Sequence, residues 1–140
     1  MFFEILSGVK DNYLLSATTM VSMDLNTAVR SYQFGEKAKS ELIMVSQSCV
    51  ALTGFSETER PGGRRMLLLL MDAIRNEIQF AFKSTGLNEF SKAINALSEA
   101  ISLIESNQFD EALQKVAVAI SASTTPAQEA WQVLSEHELL

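Results

Sequence analysis

The sequence predicts an all-α protein, a compact bundle of about five to six antiparallel helices that form a single domain over residues 1–140. Apolar residues recur every three or four positions along almost the whole chain, which is the period of an amphipathic helix. Sustained alternation of apolar and polar residues, the pattern of a half-buried strand, is missing from the sequence. The segments between the apolar stripes are short, and short connections favour antiparallel neighbours.

Two apolar stripes open the chain. The first occupies residues 14–32, and Gly35 is expected to end its helix as a left-handed residue. The second occupies residues 38–52, and Gly54 is the expected end of that helix. Cys49 lies on the second stripe. We expect it to be a small buried hydrophobe rather than a reactive thiol, because no His or Lys lies near it in sequence to lower its pKa.

The third predicted helix runs from about Arg64 to Ser84, between the helix-breaking sequence at residues 61–63 and Gly86. It is apolar nearly all round, so we expect it to lie centrally and to contact several other helices. The methionines are interpreted mainly as core residues, with an adaptable binding surface as the alternative. These methionines are Met20, Met23, Met44, Met66 and Met71.

The last third of the chain predicts a helical hairpin followed by a short capping helix. Asn88 is the expected N-cap of the fourth helix, and Asn107 is the expected N-cap of the fifth. The short last helix is expected to start at residues 125–128, Thr-Pro-Ala-Gln, which combine a capping box with proline at the first helical position. It would present Trp131 and Leu134.

Small and large residues alternate within residues 93–134 at regular helical spacings. They are Ala100, Leu103, Phe109, Ala112, Leu113, Val116 and Ala119. This segment resembles a tetratricopeptide-type helical hairpin, although Ala96 and Glu99 depart from that pattern. The resemblance implies protein or peptide binding on a concave helical surface, with Trp131 and Leu134 opening a next repeat as candidate partner-binding residues. Ordinary packing within a bundle is the alternative interpretation.

Charge and composition restrict the class of partner. The net charge of −6 disfavours nucleic acid and anionic membrane surfaces, both of which bind basic proteins. The longest apolar run, Met66–Met71, is far too short to span a bilayer, and no basic segment precedes the apolar residues at the start. A single cysteine suits a reducing compartment. We therefore expect a cytoplasmic protein that binds neither nucleic acid nor membrane.

Catalytic and metal-binding motifs are missing from the sequence. One Cys and one His cannot build a zinc cluster, and no Gly-x-Ser-x-Gly motif is present. The carboxylate pairs Asp72 with Glu77 and Glu99 with Glu105 are interpreted as solvated surface groups. We therefore expect no metal, no cofactor and no enzymatic activity.

The sequence Arg60-Pro61-Gly62-Gly63-Arg64-Arg65 is the most distinctive local feature. Free backbone N–H groups at a helix N-terminus attract anions, and arginines add bidentate donors. Arg60, Arg64 and Arg65 are therefore candidate anion-binding residues. A solvated loop whose arginines offset Glu57 and Glu59 is the alternative.

The leading functional hypothesis is a non-enzymatic protein-interaction module: an adaptor, an assembly subunit or a dedicated chaperone. A protein partner is expected, and so is homodimerisation, because the wide apolar stripes exceed what one small core can bury. The competing hypothesis is a small-molecule or anion-binding protein centred on the arginine-rich loop.

Overall fold

The computed structural model describes residues 23–139. This part of the chain is all-α, as predicted, and contains no strand. Four helices account for nearly all of it. They are α1 (Leu25–Thr53), α2 (Arg60–Thr85), α3 (Asn88–Glu105) and α4 (Phe109–Glu136).

The four helices form an antiparallel square bundle. Lys37 of α1 lies opposite Glu77 of α2, and Arg75 of α2 lies opposite Ser98 of α3. Helix α4 closes the bundle by packing against both α3 and α1. Among the described residues the diagonal pairs, α1 with α3 and α2 with α4, make no close backbone contact. Each helix therefore has two neighbours and one side that faces outward.

The core lies along the axis of this bundle. Its largest fully buried aliphatic and aromatic side chains come from all four helices: Leu42, Val45, Met71, Ile74, Ile78, Phe90, Leu97, Ile104 and Val116. A smaller cluster lies beyond the shorter helix α3, where the start of α1 meets the end of α4. It contains Ala28, Ala130, Val133 and Leu134.

Gly35 does not end a helix, and this corrects one predicted boundary. It lies buried inside α1, which continues to Thr53. A Cβ atom at this position would lie 2.8 Å from Ala127 Cβ and 2.9 Å from Ser123 O of α4. Glycine is therefore needed for the close approach of two helices rather than for a turn. The first two predicted helices are one, and the part of their pattern before Met23 lies outside the described residues.

The predicted short last helix is also wrong as a separate element. Helix α4 continues through Pro126, whose ring is buried inside the bundle. The hydroxyl of Thr125, the predicted N-cap, donates to Ser121 O at 3.2 Å, so it bonds backward within the same helix instead of capping a new one. The predicted capping helix that starts at residues 125–128 is therefore the C-terminal part of α4, and the count of five to six helices becomes four in the described chain.

Other helix ends agree with the sequence more closely. Gly54 and Gly86 are the residues that end α1 and α2, and Gly86 has a left-handed φ of 70°. Helix α2 begins at Arg60, four residues before the predicted start, because Pro61 fits in the first turn. Asn88, the predicted N-cap, is instead the first residue of α3, and Leu87 is the N-cap without a side-chain hydrogen bond.

Asn107 ends α3 instead of capping α4. It has a left-handed φ of 61°, and the next residue, Gln108, donates its N–H to Leu103 O at 2.8 Å. This is the Schellman arrangement, in which the residue after the helix turns left-handed so that the last carbonyls find donors. The turn joins α3 and α4 into the predicted hairpin, and Lys115 and Glu99 form an ion pair of 2.9 Å across it.

Candidate interaction surface

Helix α2 has more apolar residues than the bundle buries. Leu67, Met71 and Ile74 of α2 are buried in the core, where the helix packs against its two neighbours. Met66 is 69% exposed and Leu69 63% exposed, so the apolar excess faces outward. The prediction that this helix lies centrally is wrong, because in a square bundle no helix is surrounded. Met44 and Met66 are surface residues, whereas Met71 is fully buried as predicted.

Part of this exposed apolar surface lies on the outward side of the α1–α2 interface. Residues of α1 that face it recur at spacings of three and four from Phe34, and Phe55, just beyond the end of the helix, continues this spacing. Residues of α2 recur at the same spacing from Gly63 to Phe80. We call this surface the α1–α2 groove. Its exposed large apolar side chains are Met44, Phe55, Met66, Leu70 and Phe80.

The groove is deepest where the end of α1 meets the start of α2. A cleft of about 520 Å³ opens there, with Phe55, Met66 and Leu70 among its walls. Gly63 forms part of the wall, and a Cβ atom on it would lie 2.7 Å from both Leu52 Cδ1 and Phe55 Cε2. The missing side chain therefore lets the Phe55 ring lie close against α2.

The opposite end of the groove is aromatic. The rings of Phe34 and Phe80 meet edge to face, with centroids 5.8 Å apart and planes at 64°. Phe80 is nevertheless 64% exposed. The groove thus has an apolar region at each end, and a helix laid along it would contact both.

Three charged residues lie between the two apolar regions. Lys37 Nζ donates to Glu77 Oε1 at 3.1 Å, and Glu41 lies one turn further along α1 on the same side. Burial raises the pKa of Glu41 to about 7, and the neighbouring Glu77 carboxylate adds to the effect. The pKa of Glu77 is lowered, chiefly by the hydrogen bond from Glu41. Below about pH 7 the two carboxyls therefore share a proton, which Glu41 donates to Glu77.

Sequence inspection missed this carboxyl pair. Glu41 and Glu77 lie on different helices and far apart in sequence, so no short motif contains both. The available signal was positional, because each lies on the same three-and-four spacing as the apolar residues of the groove. Asp72, Glu99 and Glu105 are exposed, as expected, and Asp72 binds Arg75 at 2.6 Å while Glu99 binds Lys115. Glu77 was expected to be solvated too, but it is partly buried beside Glu41.

The arginine-rich loop lies at the same end of the bundle as the cleft. Arg60 and Arg64 line a separate open cavity of about 510 Å³, and Arg65 is not among its walls. Arg60 Nη2 donates to Phe55 O at 2.8 Å, and Arg64 Nη1 donates to Asn107 Oδ1 at 2.6 Å. Both guanidinium groups therefore stabilise helix ends of this chain.

Few backbone donors remain at the start of α2. The N–H of Arg60 bonds to Ser56 O, Pro61 has none, and the N–H of Gly63 bonds to Glu59 O. Gly62 alone in this turn is left to donate to an anion. Anion binding by Arg60, Arg64 and Arg65 stays a prediction, supported by the shared cavity of the first two and weakened by this donor count.

The two predicted partner-binding residues of α4 have different environments. Leu134 is only 3% exposed and packs in the small cluster with Ala28, so it belongs to the core. Trp131 is 53% exposed and lines a cleft of about 250 Å³ together with Glu36 and Lys39. Those two residues form an ion pair of 2.9 Å, which interrupts the apolar surface on this side of α1.

Cys49 is buried, as predicted, and its Sγ lies 3.7 Å from Phe109 O. Burial raises the pKa of this thiol, and the nearby Asp110 adds to the rise. A thiol with a raised pKa is a poor nucleophile. Within residues 23–139, no cluster of three or more His, Cys, Asp or Glu side chains has the arrangement of a metal site.

Comparison with known proteins gives no relative from which to transfer a function. No protein-family model, curated protein or solved structure matches the chain. No helix in the described part of the chain has the length and apolar character needed to cross a membrane. The resemblance of residues 93–134 to a tetratricopeptide hairpin stays a prediction.

Proposed function

We propose that this protein is a non-enzymatic protein-interaction module that binds an amphipathic helix of a partner in the α1–α2 groove. The observation on which this depends is the exposure of large apolar side chains along one helix pair, including Met66 and Phe80. A contiguous apolar surface of this kind is typical of an interaction site on a soluble bundle. Two antiparallel helices with heptad-like spacing present the shape into which a third helix packs.

The nature of the exposed residues supports the same function. Methionine side chains are flexible and polarisable, so they adapt to partners of different shape. Met44 and Met66 lie on the two sides of the groove, one on each helix. An adaptor, an assembly subunit and a dedicated chaperone all need such a surface, and the proposal does not depend on which of the three applies.

Charge substitution within the groove tests the proposal. Met66→Glu places a charge among apolar walls and is expected to abolish capture of the partner from the native host, without loss of fold because Met66 is on the surface. Val118→Glu is the matched control, since Val118 is a similarly exposed apolar residue on α4. Mass spectrometry of captured proteins should find the partner with the parent and Val118→Glu only. Equal capture by both variants would refute the groove as the binding site.

Homodimerisation is a separate proposal. Sedimentation of the purified chain at two concentrations tests it, and an increase of mass with concentration is the expected result for a dimer. A strict monomer at high concentration would contradict it. Sedimentation of the Met66→Glu variant shows whether a dimer uses the α1–α2 groove, because a dimer formed through the groove should dissociate.

A further inference from the structure

The charged centre of the groove has one cation for two carboxyls. Lys37 Nζ reaches Glu77 Oε1, whereas Glu41 Oε1 and Glu77 Oε2 are buried and receive no hydrogen bond from any N–H group of residues 23–139. Buried carboxylate oxygens without donors are costly. The proton that Glu41 shares with Glu77 meets this need while Glu41 is protonated. Once that proton leaves, one lysine faces two carboxylates, and a second cation would balance their charge.

We propose that the helix bound by the α1–α2 groove carries a lysine or arginine that lies against Glu41 and Glu77, with apolar residues on both sides of it. This inference rests on the proposed function, because the groove must first bind a helix. The two carboxyls then select among apolar helices by charge complementarity, which commonly determines specificity at an interface.

The position of the carboxyls also fixes the pattern in the partner. Glu41 lies seven residues from Phe34 and fourteen from Phe55, or about 10 Å and about 21 Å along the axis of α1. The partner's basic residue therefore lies about two turns from one end of its apolar stripe and about four turns from the other end. This asymmetry sets the direction in which the helix binds.

A second copy of the chain is a poorer occupant of the same site. Two grooves that face each other around a twofold axis would bring the Glu41 and Glu77 pairs of both copies toward one another. Like charges so placed repel, and the second groove brings two more carboxyls with its one lysine, so the shortage of cations is not relieved. An external basic helix avoids this conflict.

Binding of the basic helix should depend on pH. The charged groups that face Glu41 are Lys37 from its own helix and Glu77 from α2. A docked cation takes the place of the shared proton, so that proton must leave on binding. Affinity for a basic helix is therefore expected to rise from about pH 6 to about pH 8, the range in which Glu41 loses its proton.

Two synthetic peptides test the inference with the full chain. Both are fluorescent amphipathic helices of about 21 residues, the length of the groove from Phe34 to Phe55. They have the same leucine stripe and differ only at one position, about seven residues from one end, which is Lys in one peptide and Gln in the other. Fluorescence anisotropy should show about tenfold tighter binding of the lysine peptide at pH 8. The double variant Glu41→Gln and Glu77→Gln should lose this preference but still bind both peptides.

The outcomes separate this inference from the proposed function. Equal affinity of the parent for the two peptides would overturn the inference and leave the groove as a helix-binding site. Binding that Met66→Glu does not weaken would refute the groove itself. If Lys10→Gln in the full chain strengthens binding of the lysine peptide about tenfold, residues 1–22 occupy the groove and an external helix is not its occupant.

Discussion

At the scale of single residues, small side chains determine how closely α1 and α4 approach. Gly35 faces Ala127 and the backbone of Ser123, with no room for a Cβ atom between the helices. Ala28 and Ala130 are both fully buried in the same interface. Close-packed interiors transmit even a single added methyl group to the surrounding backbone.

Replacing Gly35 therefore tests the packing directly. Gly35→Ala is expected to lower the free energy of unfolding by about 2 kcal/mol, because the added methyl overlaps helix α4. Gly62→Ala is the matched control, since nothing lies within 4 Å of a Cβ atom there. The control should keep its stability or gain up to about 1 kcal/mol from the better helix propensity of alanine. Urea unfolding measures both, and a stabilised Gly35→Ala variant would contradict the described interface.

Glycine has different structural roles at different positions of this chain, and the local sequence distinguishes these roles only in part. Gly54 and Gly86 end helices and were predicted to do so, because polar or irregular sequence follows each of them. Gly35 has a similar local sequence but is packed against α4, which lies about ninety residues later. The partner that makes glycine necessary there is distant in sequence, so no local pattern could reveal it.

At the scale of elements, α1 and α2 are joined by a polar contact inside an apolar seam. The Glu41 pKa of about 7 lies above the ordinary value of 4.5 for a glutamate, so the folded chain binds this proton more tightly than the unfolded chain. The contribution of Glu41 to stability therefore falls as pH rises from about 4.5 to about 7. The lowered pKa of Glu77 acts in the opposite sense, since its contribution is lost as pH falls below 4.5.

Glu41→Gln removes the titrating carboxyl of Glu41, and with it the loss of stability as pH rises. The amide group of the new side chain can still donate a hydrogen bond to Glu77. The variant is expected to melt at a higher temperature than the parent at about pH 8, and the difference should shrink at about pH 5, where Glu41 of the parent is protonated. Circular dichroism melts at the two pH values check this. A constant difference between variant and parent across the range would show that Glu41 does not titrate with a raised pKa.

Helix α4 shows how far an element can be predicted from its own sequence. The motif at residues 125–128 has every local feature of a helix start, and α4 nevertheless continues through it. The burial of Pro126 and of Ala127 against α1 stabilises the continuous helix over a break. Propensity and capping act locally, whereas this packing comes from the bundle, and it decided the outcome.

At the scale of the whole molecule, apolar pattern predicted the fold class but not the position of α2. A helix that is apolar nearly all round suggests a central position, yet in a square bundle it contacts only two others. The excess apolar surface of α2 then faces outward beside α1 and forms the groove. The amphipathic stripes thus predicted helices with apolar faces. The arrangement of the four helices determined which apolar side chains are buried and which are exposed.

Methionine oxidation of the intact chain tests most directly whether the α1–α2 groove is an open binding surface. Met44 is 58% exposed and Met66 is 69% exposed, whereas Met71 of the same helix pair is fully buried and serves as an internal control. Brief treatment with hydrogen peroxide, followed by mass spectrometry, should oxidise Met44 and Met66 rapidly and Met71 slowly. The lysine peptide should protect the first two. If Met44 and Met66 resist oxidation as Met71 does in the free chain, the groove is covered and the account is wrong.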